Sequence, residues 1–223
     1  MEDHGPLRSF GRLKSRPIKP RQAALMEALL PEIRVPQEAF DPRALMPGAA
    51  EVWLEIGFGG GEHMAAQAAR RPEVLVIGAE PFLNGVASAV RHVEEQGLSN
   101  VRLHDGDARE LLARLPDACL DRAFILFPDP WPKARHHKRR LIQPEVVAEL
   151  ARALKPGGRL RFATDWANYA DWTLERVLAS GLFRWEAERA DDWRRPPLDH
   201  ITTRYEEKRL GDCAPVFFDF VRR

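Results

Sequence analysis

Val52-Trp53-Leu54-Glu55-Ile56-Gly57-Phe58-Gly59-Gly60-Gly61-Glu62 is an apolar run that breaks into glycine and resumes with an acid. Residues Val52 to Ile56 predict a strand, the glycines a tight turn, and Glu62 to Arg71, stopped by Pro72, a helix. Strand, glycine turn and helix in that order form the opening unit of a doubly wound α/β sheet. The alternation continues through a strand at Val74 to Ala79 and a helix that places Leu83, Val86, Val90 and Val93 on one face before Gly97. Val101 to His104 and Ala123 to Phe127 read as the third and fourth strands. Pro144 opens a helix with Val147, Leu150 and Leu154 on one face, and Lys155-Pro156-Gly157-Gly158 turns it into a fifth strand, Arg159 to Ala163. A helix carrying Ala170, Leu174, Val177 and Leu178 ends at Gly181; strands at Phe183 to Glu188 and Val216 to Val221 flank a polar loop. Upstream, Ala23 to Leu30 reads as a short helix. The expected organisation is one Rossmann-like domain over residues 23–223, preceded by a basic, mobile arm over residues 1–22.

The chain has 223 residues, enough for one full core, and a formal net charge of +1. The distribution of charge says more than its sum. Arg8, Arg12, Lys14, Arg16, Lys19 and Arg21 follow one another without an intervening acid, and a second basic cluster occupies Lys133 to Arg140. Two such patches on a balanced chain suit nucleic acid, although charge runs also occur as plain solvated surface. The only cysteines, Cys119 and Cys213, are far apart and form no metal-ligand spacing, which fits a reducing cytoplasm. With no apolar run of membrane length and no signal-peptide pattern, a soluble cytoplasmic protein is expected.

A dinucleotide fingerprint beginning at Gly57 would require glycine at position 62. Glu62 stands there instead, and its charge would repel a pyrophosphate at a helix N-terminus. That favours S-adenosylmethionine, a ligand without phosphate that carries an ammonium, over a nicotinamide dinucleotide. Gly57 and Gly59 would let the backbone approach such a ligand, and Glu55 would meet its ammonium. Glu80 ends the second strand, where an acid commonly takes ribose hydroxyls. Asp107, after the third strand, suits an adenine amino group, and with Glu110 it also reads as a helix capping box.

The fourth strand runs into Phe127-Pro128-Asp129-Pro130-Trp131-Pro132-Lys133. Proline fixes its own φ and restricts the residue before it, so Asp129 is presented with little backbone freedom. The aromatic Trp131 and the basic run Arg135-His136-His137-Lys138-Arg139-Arg140 lie beside it.

Together with Thr164-Asp165 and Thr203-Arg204-Tyr205-Glu206, these motifs resemble the bacterial tRNA (guanine-N7-)-methyltransferases from about Arg8 to the C-terminus. The resemblance implies a class I methyltransferase fold, with a mostly parallel seven-stranded sheet whose last strand is antiparallel. It implies S-adenosylmethionine as donor, S-adenosylhomocysteine as product, and guanosine at position 46 of the tRNA variable loop as acceptor. Carried over, Glu55, Glu80, Asp107 and Asp129 are cofactor-contacting acids and Asp129 is also catalytic. Lys133, Asp165 and Thr203 through Glu206 bind the substrate, and Arg135 through Arg140 contact RNA. One departure is that Ser9-Phe10-Gly11-Arg12 continues as Leu13-Lys14-Ser15-Arg16, where the family carries a further arginine and a Gly-Arg pair.

Guanine N7 needs no general base, so Asp129 is expected to position and stabilise charge. Asp165 would select guanine through N1 and the exocyclic amine, and Trp131 would stack on the base or pack locally. No metal, membrane or obligatory protein partner is expected of this monomer or homodimer. The alternatives are an amino-directed nucleic-acid methyltransferase, whose turn would read Asp/Asn-Pro-Pro-aromatic, and a non-catalytic RNA-binding module.

Overall fold

The computed structural model describes residues 17–223. Its strands are β1 (Glu51–Ile56), β2 (Val74–Ala79), β3 (Val101–His104), β4 (Leu120–Leu126), β5 (Leu154–Thr164), β6 (Phe183–Trp185) and β7 (Val216–Arg222). They form one sheet in the order β3-β2-β1-β4-β5-β7-β6, in which β1 to β5 are parallel and β7 runs antiparallel to both β5 and β6. Helices α1 (Pro20–Ala28), α2 (Leu30–Ile33), α3 (Glu62–Arg70), α4 (Leu83–Gln96), α5 (Ala108–Arg114), α6 (Pro144–Ala153), α7 (Ala167–Ala179), α8 (Asp191–Arg194) and α9 (Arg204–Glu207) accompany it.

Both faces of the sheet are covered, which is why its central strands are apolar almost without alternation. On one face Leu54, Ile56, Ile125 and Phe162 pack with Leu111 of α5, Leu150 of α6 and Val177 of α7. On the other, Trp53, Val76 and Phe124 pack with Met64 of α3, Val90 of α4 and Leu25 of α1. From β1 the chain winds outward through β2 and β3, then returns to place β4 on the other side of β1, with Ile56 opposite Ile125. That reversal opens a crevice at the carboxyl ends of β1 and β4, the position where open α/β sheets take their ligands. The glycine turn follows β1 and the Pro-Asp-Pro-Trp turn follows β4, so the topology brings both motifs to this crevice.

Besides β4, which runs from Leu120 to Leu126 instead of from Ala123 to Phe127, the structure differs from the sequence expectation in three places. The first helix begins at Pro20 and breaks after Ala28, because Pro31 has no N–H to carry α1 onward. Arg21, read as part of the arm, pairs with Glu94 of α4 at 3.0 Å, while Arg8, Arg12, Lys14 and Arg16 lie outside the described residues. The Lys155-Pro156-Gly157-Gly158 turn falls within β5: Leu154 pairs with Leu120, Gly157 turns at φ 78°, and the ladder resumes at Arg159 opposite Arg122. β6 ends at Trp185 instead of Glu188, because the Asp192 carboxylate accepts from the Glu188 and Arg189 N–H groups and folds the chain into α8. Among the described residues no helix is long and apolar enough to cross a membrane.

Candidate active site

The β1 turn is left-handed at Gly57 (φ 72°) and Gly59 (φ 55°), and beyond its chain neighbours a Cβ added at either would meet no atom of the described residues within 4 Å. Open space above a left-handed backbone is what a ligand lying on the main chain requires. Glu80 holds the turn. One carboxylate oxygen accepts from Gly59 N at 2.8 Å and the other from Phe82 N at 2.9 Å. Burial pushes its carboxyl up, and the negative charges of Asp129 and Glu55 add to the shift, partly offset by those two backbone donors.

Glu55, next to last in β1, is only 3% exposed and lies near enough to Glu80 for its charge to be felt there. Its Oε2 lies 2.6 Å from Nδ1 of His63, a buried residue of α3 that the sequence reading passed over. Asp107 caps α5 by accepting from Arg109 N at 2.9 Å. The reciprocal bond from Asp107 N to the Glu110 carboxylate, expected of a capping box, is not formed, and the Arg109 guanidinium donates to the Asp107 carboxylate at 3.0 and 2.7 Å. Burial opposes ionisation of Asp107, but the Arg109 hydrogen bonds outweigh it and hold the carboxyl below its ordinary value.

Asp129 differs from these three acids. It is exposed at the mouth of the crevice, and its carboxylate makes no hydrogen bond or ion pair with another described residue. The protein around it nevertheless desolvates it enough to raise its carboxyl above the usual range. The turn is left-handed at Phe127 (φ 51°) and again at Trp131 (φ 43°), neither of them glycine. Such backbone is costly for a side-chain-bearing residue, persists only when its surroundings impose it, and clusters at functional sites.

The basic run behind this turn divides into an outer and an inner part. Lys133, Arg135 and Lys138 are exposed, and His136, His137 and Arg139 are half-buried on a 3₁₀ turn (Ala134–Arg139). Desolvation, then the cations Arg139, Arg135, Lys133 and Lys138, hold His136 below the usual imidazole range. Trp131, expected to stack on a base or pack locally, lies under the Arg139 guanidinium at 5.0 Å with His136 edge-on at 5.9 Å. Arg140, expected at the RNA surface, is inside: it is 2% exposed. Its Nε donates to Pro130 O at 2.9 Å and an Nη to Asn168 Oδ1 at 2.7 Å, with the Tyr169 and Trp172 rings 4.8 and 4.9 Å away. It braces the turn that presents Asp129.

Asp165, buried at the end of β5, lines a cavity of about 370 Å³ together with Glu206, Arg209, Gly211 and Cys213. The Thr203–Glu206 segment that borders it is α9 with its capping box. Thr203 Oγ1 accepts from Glu206 N at 3.3 Å, and Glu206 Oε2 accepts from Thr203 N at 2.8 Å. The Glu206 carboxylate also meets His200 Nε2 at 2.8 Å. Tyr205 donates to Asp165 Oδ1 at 3.3 Å and lies 5.6 Å from the Phe127 ring, and Arg204 pairs with Glu62 of α3 at 3.2 Å. The β1–α3 glycine turn, the Asp129 turn and the late polar loop thus meet in one place.

Comparison with known proteins points the same way. A family model described as "Putative methyltransferase" matches residues 49–217. A tRNA (guanine-N(7)-)-methyltransferase of Caulobacter vibrioides is 72% identical over 221 residues, 99% of this chain and 97% of that protein. One from Hyphomonas neptunium is 56% identical over 216 residues, 96% of this chain and 99% of that protein. Among solved structures, the 16S rRNA (adenine(1408)-N(1))-methyltransferase from Catenulisporales acidiphilia shares the fold with a TM-score of 0.55 at 18% identity, covering 85% of this chain and 97% of that one.

Proposed function

We propose, for a chain that belongs to the tRNA (guanine-N7-)-methyltransferase family, that the guanosine it methylates is the one at position 46 of the tRNA variable loop. The enzyme transfers the methyl group of S-adenosylmethionine to N7 of a guanine in tRNA. The donor set fits this cofactor: Glu55, Glu80, Asp107 and Asp129 make the crevice acidic, which favours a ligand with an ammonium and hydroxyls over a pyrophosphate. Glu55 would take the ammonium, Glu80 the ribose, and Asp107 the adenine amino group, each while keeping the protein contact that fixes it. When bound, the sulfonium supplies the electrophilic methyl group.

The observation that carries the reading is the Asp129 carboxylate, unpartnered among the described residues and held between two left-handed residues at the crevice mouth beside an exposed basic face. Guanine N7 is a lone-pair nitrogen and has no proton to lose. Asp129 therefore orients the reacting groups and stabilises the positive charge that passes to the purine. Asp165, with Tyr205 on one oxygen, accepts from the guanine N1–H and amine in the cavity it lines. Lys133, Arg135, Lys138 and the half-buried His136, His137 and Arg139 face tRNA phosphates, and the N-terminal basic stretch from Arg8 to Arg21 adds to them. A tRNA substrate places the work in the cytoplasm.

Methyl transfer from labelled S-adenosylmethionine to unmodified tRNA transcripts, with guanosine or adenosine at position 46, tests the assignment. N7-methylguanosine is expected only from the guanosine transcript. An equal yield from both would remove position 46.

A further inference from the structure

Behind the crevice a buried polar chain runs from Glu55 to the loop that carries α9. His63 and Gln67 stand four residues apart on α3, so both face the sheet, and both are 2% exposed. The Gln67 amide nitrogen donates to Asp199 O at 2.7 Å and lies 3.2 Å from His63 Nε2. With the amide turned over, its oxygen would face the Asp199 carbonyl at that distance, so the nitrogen belongs there. An amide nitrogen only donates. His63 Nε2 is therefore an acceptor, and the ring proton sits on Nδ1, directed at Glu55 Oε2, 2.6 Å away. Phe124 holds the imidazole edge-on at 5.1 Å.

The far end is equally fixed. The Asp199 carboxylate is bound by Arg161 at 2.5 Å and Arg122 at 2.8 Å, and Arg161 is itself tied to Asp219 of β7 at 2.8 Å. The next residue, His200, reaches the Glu206 carboxylate of α9. His63, Gln67, Asp199 and His200 belong to none of the motifs that place cofactor or base, yet they join the two sides.

We propose that His63 and Gln67 are positioning residues shared by the two subsites. His63 takes Oε2 of Glu55 and fixes that carboxylate so that Oε1, which has no hydrogen-bond partner among the described residues, is left for the ammonium of the methyl donor. Gln67 sets the imidazole tautomer and anchors the substrate loop at Asp199 to the same helix. This rests on the reading of Glu55 as the ammonium acceptor.

S-adenosylhomocysteine keeps the ammonium and lacks the sulfonium, so its affinity, measured by calorimetry, isolates this contact. His63→Ala is expected to weaken it about tenfold, the scale of one charge-assisted hydrogen bond. His63→Asn places an amide nitrogen where Nδ1 stood and is expected to recover affinity to within about threefold. Gln67→Ala, which releases the imidazole as well as the Asp199 loop, is expected to weaken that affinity about threefold and to raise KM for tRNA about tenfold. Equal losses in the alanine and asparagine variants, or no loss in either, would overturn the role of His63; an unchanged tRNA KM would overturn that of Gln67. The imidazole nitrogen spectrum of the unliganded wild-type protein needs no variant, and a proton found on Nε2 would refute the chain. Wild-type protein that fails to bind S-adenosylhomocysteine, or Glu55→Gln that binds it normally, would instead remove the reading beneath the proposal.

Discussion

Arg140 separates two accounts of the basic run, and replacing it with alanine gives opposite results under each. As a phosphate contact it would add to affinity and to salt dependence, and its loss would leave the fold intact. Buried as it is, it makes two short charge-assisted hydrogen bonds, to Pro130 O and Asn168 Oδ1, and a longer one to Asn168 O at 3.4 Å, and lies against two aromatic rings. Each short hydrogen bond is worth about 1.5 kcal/mol or more. The two cation–π contacts, sheltered from water, add roughly 1 kcal/mol. Arg140→Ala should therefore destabilise by about 4 kcal/mol, at the high end for a single substitution. At roughly 2 to 4 °C per kcal/mol for a chain of this size, Tm falls by about 8 to 16 °C. Turnover falls as well, because the freed Pro130 carbonyl loosens the turn that holds Asp129. The slope of log affinity for tRNA against log salt stays at its wild-type value. Urea unfolding and a salt series on the same variant provide both numbers. A variant of normal stability whose salt slope is shallower by about 1 would place Arg140 in the RNA interface and refute the assignment.

Asp129→Asn should lower kcat by about a hundredfold, the scale of a single preorganised electrostatic contact, with tRNA affinity kept within about threefold; near-normal turnover would end its assigned role. Arg135→Ala and Lys138→Ala, both on the exposed face, should each make the salt slope of tRNA binding shallower by about 1 without changing Tm. At Asp199, burial resists ionisation, but Arg161 and Arg122 prevail and bring the carboxyl from an ordinary 3.8 to about 2. A lowered carboxyl contributes stability above its unfolded value and loses it as pH falls toward the folded one. Asp199→Asn should thus be less stable at neutral pH and should lose pH dependence between about 4 and 2; an acid limb identical to wild type would refute the ion-pair assignment.

The legible parts of this chain are those whose physics is local. β2 occupies the predicted Val74–Ala79 because a strand covered on both faces is an unbroken apolar run bounded by turns. The acids at strand ends were legible for a related reason: topology alone puts every carboxyl end of a parallel sheet on one edge. The burial of Arg140 was not legible because six consecutive basic or imidazole residues carry no local sign of which one turns inward; Asn168, Tyr169 and Trp172 decide that from 28 or more positions away. His63 and Gln67 were missed for the same reason. Gln67 meets its carbonyl partner at Asp199, 132 residues on, and no period or spacing records the contact. The α8 turn was hidden because Asp192 competes for backbone donors that an extended β6 would have used.

The four acids at the crevice are not equivalent, and their partners explain why one of them is suited to the reacting centre. Glu55 is held by a histidine, Glu80 by two backbone amides and Asp107 by an arginine. A carboxylate so engaged is fixed in place, and part of its charge is already answered by the protein. Such groups suit a ligand that is bound and released unchanged at those atoms. The reacting centre needs the opposite: a full negative charge, rigidly placed and not yet answered, so that the positive charge moving onto the purine finds it ready. Free aspartates in turns usually escape that condition by accepting from the backbone two residues on. Here Pro130 offers no donor and Asp129 takes none from Trp131. The left-handed Phe127 and Trp131, with Arg140 gripping the Pro130 carbonyl between them, hold the turn in a shape in which its own carboxylate stays unpaired. Backbone strain and a buried arginine are the cost of that arrangement, and both sit in the motif whose sequence is most distinctive.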